Sequence, residues 1–169
     1  MLFDLTRVRG DHHFDRTFPP SEVSQEHEAY RLVEPVHLVF DITKDKDRFR
    51  MVGRSTTELE LSCSRCLEPF RMPVDVEFDQ RYLPQSAAAG ESETEVEEDD
   101  LETSYYRDEQ IDLDELLREQ FYLALPMKPL CMDGCKGLCA QCGTNLNTGT
   151  CTCEVAWEDP RLAPLKKLK

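Results

Sequence analysis

Six of the chain's eight cysteines fall between Cys131 and Cys153, in the string Cys-Met-Asp-Gly-Cys-Lys-Gly-Leu-Cys-Ala-Gln-Cys-Gly-Thr-Asn-Leu-Asn-Thr-Gly-Thr-Cys-Thr-Cys. The other two form Cys63-Ser-Arg-Cys66. A tetrahedral metal site needs four donors, each deprotonated and about 2.3 Å from the ion when the donor is sulfur. A two-residue gap lets one tight turn aim two sulfurs at one point. Gly143 after Cys142 allows the left-handed backbone that such a turn requires. Metal binding by these cysteines is therefore the first expectation.

Composition narrows the remaining choices. The formal net charge is −14, which argues against a simple electrostatic nucleic-acid binder, because phosphate contacts need clustered Lys and Arg. An acidic chain suits a basic partner, or solubility alone. No apolar run reaches the roughly 18 residues of a membrane span, and no basic-then-apolar secretory pattern opens the chain. A cytoplasmic location is expected. Thiols stay reduced there, which favours metal over disulfide.

Taken in order, residues 2–8 alternate weakly and predict a first strand, and residues 10–22 read as loop. His12 and His13 in that loop are expected to be surface polar residues rather than ligands. From Leu32 a period of two sets in. Val36, Leu38, Phe40 and Ile42 share one face of a strand. Lys44-Asp45-Lys46-Asp47 makes a turn into a second strand, Arg48 to about Cys63, in which Gly53 predicts a bulge. Thr57, Leu59, Leu61 and Cys63 line up beyond it. A third strand runs from about Phe70 to Leu83, with Phe70, Met72, Val74, Val76, Phe78 and Tyr82 on its apolar side. Residues 32–83 thus read as an antiparallel meander, a sheet or partly open barrel with one wet face.

The Cys63–Cys66 pair sits at a hairpin tip. A zinc knuckle, a pair of buried small residues and a thioredoxin-like redox pair all remain open. A redox pair would open a helix, where the dipole lowers a thiol pKa. Strands flank this one, which favours the knuckle.

Residues at about 85–104 lead from Ser86-Ala-Ala-Ala-Gly90 into a stretch rich in Glu and Asp and read as a disordered loop or linker, for solubility or for competition over a basic partner. A helix follows. Asp112 and Glu115 form a capping box, Leu113, Leu116, Leu117, Gln120, Phe121, Leu123, Ala124 and Leu125 form a stripe for the sheet, and Pro126 stops it. The fold class is α+β, a meander with one packing helix and a C-terminal cysteine-rich zinc ribbon. The divisions are 1–130, 131–156 and a flexible tail 157–169.

Eight thiolates allow one or two Zn2+ sites. Cys139, Cys142, Cys151 and Cys153 make one compact quartet. Cys63, Cys66, Cys131 and Cys135 make a second that clips the hairpin tip to the segment after the helix, although Cys131 or Cys135 can instead join the local cluster. A catalytic zinc keeps an open position for water, and an all-cysteine shell leaves none. With no base nearby in sequence, no enzyme and no small-molecule substrate are expected.

The string Cys63-Ser-Arg-Cys66-Leu67-Glu68-Pro69-Phe70, the Ile111-Asp112-Leu113 helix start, Leu125-Pro126 and Cys135-Lys-Gly-Leu-Cys139-Ala-Gln-Cys142-Gly-Thr-Asn-Leu-Asn147 resemble the YceD family, the large ribosomal RNA subunit accumulation proteins, over roughly residues 30–155. The resemblance implies a bacterial or plastid-derived protein tied to accumulation of large-subunit ribosomal RNA. Its partners would be a large-subunit precursor, the RNA itself or a basic ribosomal protein. Arg65, Arg71 and Lys136, near the cysteines, are candidate partner or RNA contacts. The bland reading is that they balance thiolate charge. A redox-sensing or zinc-storage protein is the competing reading of the same cysteines.

Overall fold

A computed structural model describes residues 1–23, 29–85 and 103–153. The basic tail and nearly all of the acidic stretch lie outside the described residues. Strands β1 (Leu2–Asp4), β2 (His12–Phe18), β3 (Arg31–Leu32), β4 (Val36–Asp45), β5 (Arg48–Ser62), β6 (Pro69–Pro84), β7 (Thr103–Tyr106) and β8 (Gln110–Asp112) precede one helix, α1 (Leu113–Ala124). Among the described residues the fold is mostly open β-sheet with one helix, which fits the α+β class.

Strand β5 is the spine of the larger sheet. It pairs antiparallel with β4 on one edge and β6 on the other, β2 extends the sheet beyond β4, and β7 pairs parallel with the end of β6. Strand β3 takes the β4 edge of β5 further along, with Leu32 opposite Leu59. A separate two-stranded ribbon joins β1 to β8.

The alternation seen in the sequence becomes burial. Val36, Leu38, Phe40 and Ile42 are buried, as are Phe49, Met51, Leu59 and Leu61 of β5 and Val74, Phe78 and Tyr82 of β6. Side chains of this size stabilise by about 1.5–3 kcal/mol each when fully buried. Helix α1 adds Leu113, Leu116, Leu117 and Phe121 to the same core. Its cap is Asp112, whose carboxylate accepts from the Asp114 N–H at 2.9 Å. The core-facing stripe is narrower than its spacing suggests. Leu123 is 76% exposed, whereas Phe121, Ala124 and Leu125 pack on the core.

Three local expectations are corrected. Residues 12–18 are an edge strand, not loop. Phe14 stacks on Phe40 with ring centroids 4.7 Å apart, so one aromatic contact ties β2 to β4. The first strand stops at Asp4 and passes into a 3-10 turn over Leu5–Arg7, capped by Asp4. Gly53 is not a bulge. The register runs through it without a break, opposite Phe40 on one side and Phe78 on the other. A methyl there would lie 2.4 Å from Val39 O, 2.5 Å from Phe40 Cβ and 2.8 Å from Phe78 Cζ. Glycine is required because two large residues close over it.

Pro73 lies within β6, opposite Glu58. It is tolerated because β7 covers only Arg81–Pro84, so among the described residues the Pro73 nitrogen faces an open edge where no N–H is needed.

Candidate metal centre

The turn between β5 and β6 is built for two thiols. Cys63 N–H donates to Glu68 O at 3.0 Å, and Leu67 N–H donates back to Cys63 O at 2.9 Å. The same closing bond recurs downstream, from Gly143 N–H to Cys139 O at 2.9 Å. Both turns need a left-handed residue after the second cysteine. Gly143 has φ +72° and Leu67 has φ +62°. Glycine adopts this conformation freely, whereas a residue with a Cβ is disfavoured by about 1–2 kcal/mol. Leu67 is 65% exposed and recovers little by packing. Leu67→Gly is therefore expected to stabilise the metal-loaded protein by about 0.5–1 kcal/mol in chemical denaturation. A loss of stability would show that the leucine side chain matters more than its backbone.

The segment after α1 docks on the first turn through three hydrogen bonds. Ser64 N–H donates to Pro129 O at 2.9 Å, Leu138 N–H donates to Arg65 O at 3.1 Å, and Arg65 Nη1 donates to Cys135 O at 2.8 Å. Gly137, at φ +76°, permits the approach, because a Cβ there would sit 3.0 Å from Arg65 O. The result is that Cys63, Cys66, Cys131 and Cys135 converge. Their sulfurs lie within 4.8 Å of one another, with Cys63 Sγ to Cys135 Sγ and Cys66 Sγ to Cys131 Sγ both 3.7 Å.

The second group is local. Cys139, Cys142, Cys151 and Cys153 also have sulfurs within 4.8 Å of one another. Cys139 N–H bonds Thr144 O at 2.8 Å, and Gly149 N–H bonds Asn145 O at 2.9 Å, which turns the chain back toward Cys151. The two groups differ in exposure. Cys63, Cys66 and Cys135 are buried, whereas Cys142 and Cys153 are exposed.

Four sulfurs held about 2.3 Å from one ion at tetrahedral angles stand about 3.8 Å apart. The 3.7 Å separations match that spacing and are far from the roughly 2.05 Å of a disulfide. Each cluster of four cysteines can hold a metal ion. The electrostatics point the same way. Backbone N–H groups, that of Cys66 foremost, draw Cys63 down to about 6. Loss of water, with the neighbouring thiols, pushes Cys131 up to about 12. In the second cluster the Thr144 hydroxyl and N–H draw Cys142 down to about 6, while the crowding of Cys142, with loss of water, pushes Cys153 up to about 12. Thus part of each cluster ionises readily and the rest resists, because four thiolates repel. A divalent cation removes that repulsion.

Metal uptake at neutral pH should release about two protons per site, from the thiols that resist ionisation. Calorimetry in buffers of different ionisation enthalpy measures it. The sign for stability follows. Bound thiolates titrate far below their unfolded value, so metal-linked stability is present at neutral pH and lost as pH falls. Uptake without proton release would contradict this.

The remaining candidates lie nearby but are not equivalent. Arg65 braces the first site through the Cys135 carbonyl. Arg71, on β6, is ion-paired with Glu34 at 3.5 Å. Lys136 is exposed, and its backbone N–H bonds Asn147 Oδ1 at 2.8 Å. His12 and His13 are both exposed but on opposite faces of β2, His12 near the Phe3 ring and His13 Nδ1 meeting Asp41 Oδ1 at 2.7 Å, and neither joins a cysteine cluster. Sequence reasoning missed Thr144 and Asn147 as sulfur partners. Thr144 Oγ1 lies 3.1 Å from Cys142 Sγ, and Asn147 Nδ2 donates to Cys135 Sγ at 3.3 Å. The Asn-Leu-Asn run marks a turn, and nothing local reveals that one amide reaches the other cluster. No helix among the described residues is long and apolar enough to cross a membrane.

Comparison with known proteins places these residues in context. Residues 51–169 match the family described as Large ribosomal RNA subunit accumulation protein YceD. The chain is 31% identical to a protein of Zea mays named Large ribosomal RNA subunit accumulation protein YCED homolog 1, chloroplastic, over 78% of this chain and 53% of that protein. A protein of the same name from Arabidopsis thaliana is 24% identical over 80% of this chain and 49% of its own length. An uncharacterized protein of Mycobacterium tuberculosis is 38% identical over 50% of this chain and 38% of its own. The chain thus spans about half, or less, of the curated relatives it matches. No solved structure matches it.

Proposed function

Because the chain belongs to the YceD family, we propose that it is a non-catalytic factor in assembly of the large ribosomal subunit, supporting accumulation of its RNA. The relatives' names support a ribosome-related role. The mechanism we attach to it is docking rather than chemistry. The observation that carries it is the sorting of eight cysteine sulfurs into two compact quartets. All-thiolate shells of this kind suit Zn2+ in a structural site, with no coordination position left for a substrate or an activated water. The first quartet would be a clip fixing the β5–β6 tip to the 127–139 segment, and the second would close a zinc ribbon.

Held in this way, the tip presents Arg65 and Lys136 beside the first cluster, and Arg71 further along β6, to a ribosomal precursor particle, its RNA or a basic ribosomal protein. The formal net charge of −14 favours a basic protein for the wider contact and confines RNA contact to these cations. Its action is placed in the cytoplasm as part of this proposal.

The test is genetic and physical together. Cells lacking the protein should lose large-subunit RNA relative to small-subunit RNA, and the wild-type chain should restore the ratio. Crosslinked pull-down from growing cells should recover large-subunit precursors. Recovery of neither ribosomal RNA nor ribosomal protein would end the proposal.

One observation favours a second reading confined to the second cluster. Cys142 and Cys153 are exposed, so an oxidant can reach them. A redox-sensing or zinc-storage role predicts that mild peroxide releases one zinc and forms disulfide there, with Cys63 and Cys135 untouched. Zinc retained under that treatment excludes it.

A further inference from the structure

We propose that the two metal sites load as a coupled pair, with Asn147 as the positioning residue that joins them. The proposal rests on both cysteine quartets holding metal, as inferred above, and adds that neither is independent of the other.

Asn147 belongs to the loop between Cys142 and Cys151, two members of the second quartet. Yet its side chain works at the first quartet. Asn147 Nδ2 donates to Cys135 Sγ at 3.3 Å, and Asn147 Oδ1 accepts from Lys136 N–H at 2.8 Å. Asn145 holds the amide in place, since its Oδ1 accepts from Asn147 Nδ2 at 2.9 Å and from Asn147 N at 3.0 Å. Two more bonds pin the same loop to the first site's framework. Leu146 N–H donates to Gly137 O at 2.9 Å, and Asn145 Nδ2 lies 3.4 Å from Glu68 Oε1 in the first turn.

The chemistry of the contact gives it weight. An amide N–H aimed at a metal-bound thiolate offsets part of its charge and fixes the sulfur's direction. Groups behind the ligands of a metal typically change affinity by about 10- to 100-fold when removed. Asn147 can supply this only while its loop is ordered, and closing the second quartet orders it. Filling Cys139, Cys142, Cys151 and Cys153 therefore raises the affinity of Cys63, Cys66, Cys131 and Cys135 by about tenfold, and linkage makes the effect equal in the other direction.

The experiment is a Co(II) titration of the reduced, metal-free full chain, followed by thiolate-to-cobalt absorption and by native mass spectrometry. At one equivalent of cobalt, independent sites leave about half or more of the chains with one ion. Tenfold coupling lowers that fraction, to about a quarter when the two intrinsic affinities are equal, with the excess divided between empty and doubly loaded chains. Asn147→Ala should lower first-site affinity by about tenfold and restore the one-ion species. In a chain carrying Cys142→Ser and Cys153→Ser, the same Asn147→Ala change should alter first-site affinity by less than about threefold. A merely structural asparagine would matter equally in both backgrounds, and that result overturns the proposal. So does a one-ion fraction that Asn147→Ala leaves unchanged, a comparison that decides alone if the serine variant fails to fold. Absence of any cobalt uptake defeats the metal reading itself, an outcome distinct from uptake of two independent ions.

Discussion

Replacing Cys63 and Cys135 with serine should lower the unfolding midpoint by roughly 10 °C and halve the bound zinc, with the second quartet still loaded more weakly. The size follows from chain entropy. The first quartet joins residues 65 and 72 positions apart. A crosslink closing a loop of about 65 residues removes roughly 4 kcal/mol of unfolded-state freedom. For a domain of this size each kcal/mol corresponds to roughly 2–4 °C. The serines also leave Cys66 and Cys131 without a closed shell, so the 127–139 segment loses its main tie to the β5–β6 tip. Disabling Cys151 alone should act differently. Its quartet closes a short loop, so the sheet should melt nearly as before while amides 139–151 exchange faster. Differential scanning calorimetry with metal analysis reads the first effect, and hydrogen exchange reads the second. A midpoint unchanged by Cys63→Ser/Cys135→Ser would mean that the first quartet bears no structural load.

Gly53→Val should destabilise the fold by about 3 kcal/mol, at the upper end of ordinary overpacking. The central strand leaves no slack. Val39 O, Phe40 Cβ and Phe78 Cζ already occupy the space a Cβ needs, and β4 and β6 hold the position from both edges. A glycine in extended backbone with open space beside it would behave otherwise, since valine suits such backbone and would cost little. Urea denaturation distinguishes the two, and a loss below about 1 kcal/mol would argue against the close packing.

The features that were legible in the sequence are those whose signal is local. Alternation of Val36, Leu38, Phe40 and Ile42 reports a half-buried strand because neighbouring side chains point to opposite faces. Asp112 reports a helix start because its carboxylate serves an N–H two residues on. The grouping of Cys139, Cys142, Cys151 and Cys153 was suggested for a similar reason, by paired spacings with a turn between them, whereas spacing left the place of Cys131 and Cys135 open. The features that escaped depend on distant partners. Strand β2 looks like loop because five of its seven residues are polar or charged, and it is held by pairing with β4 and by Phe14 against Phe40. The parallel match of β7 to β6 leaves no local trace. Gly53 reads alike as bulge or close contact until Phe40 and Phe78 are brought beside it. Leu123 continues the helical stripe in spacing, yet it stays exposed while Ala124 and Leu125 take the core side. Asn147 reaches a sulfur twelve positions back, beyond any spacing rule.

Pro73 carries a consequence for behaviour at high concentration. Among the described residues strand β6 is the longest, and beyond its pairing with β7 its outer edge is a template on which another copy could add its own backbone, the usual start of aggregation. A proline ring in the middle of it removes a donor and obstructs the incoming chain. The protein can therefore keep a long strand reaching to its cysteine-bearing tip without becoming adhesive along the way.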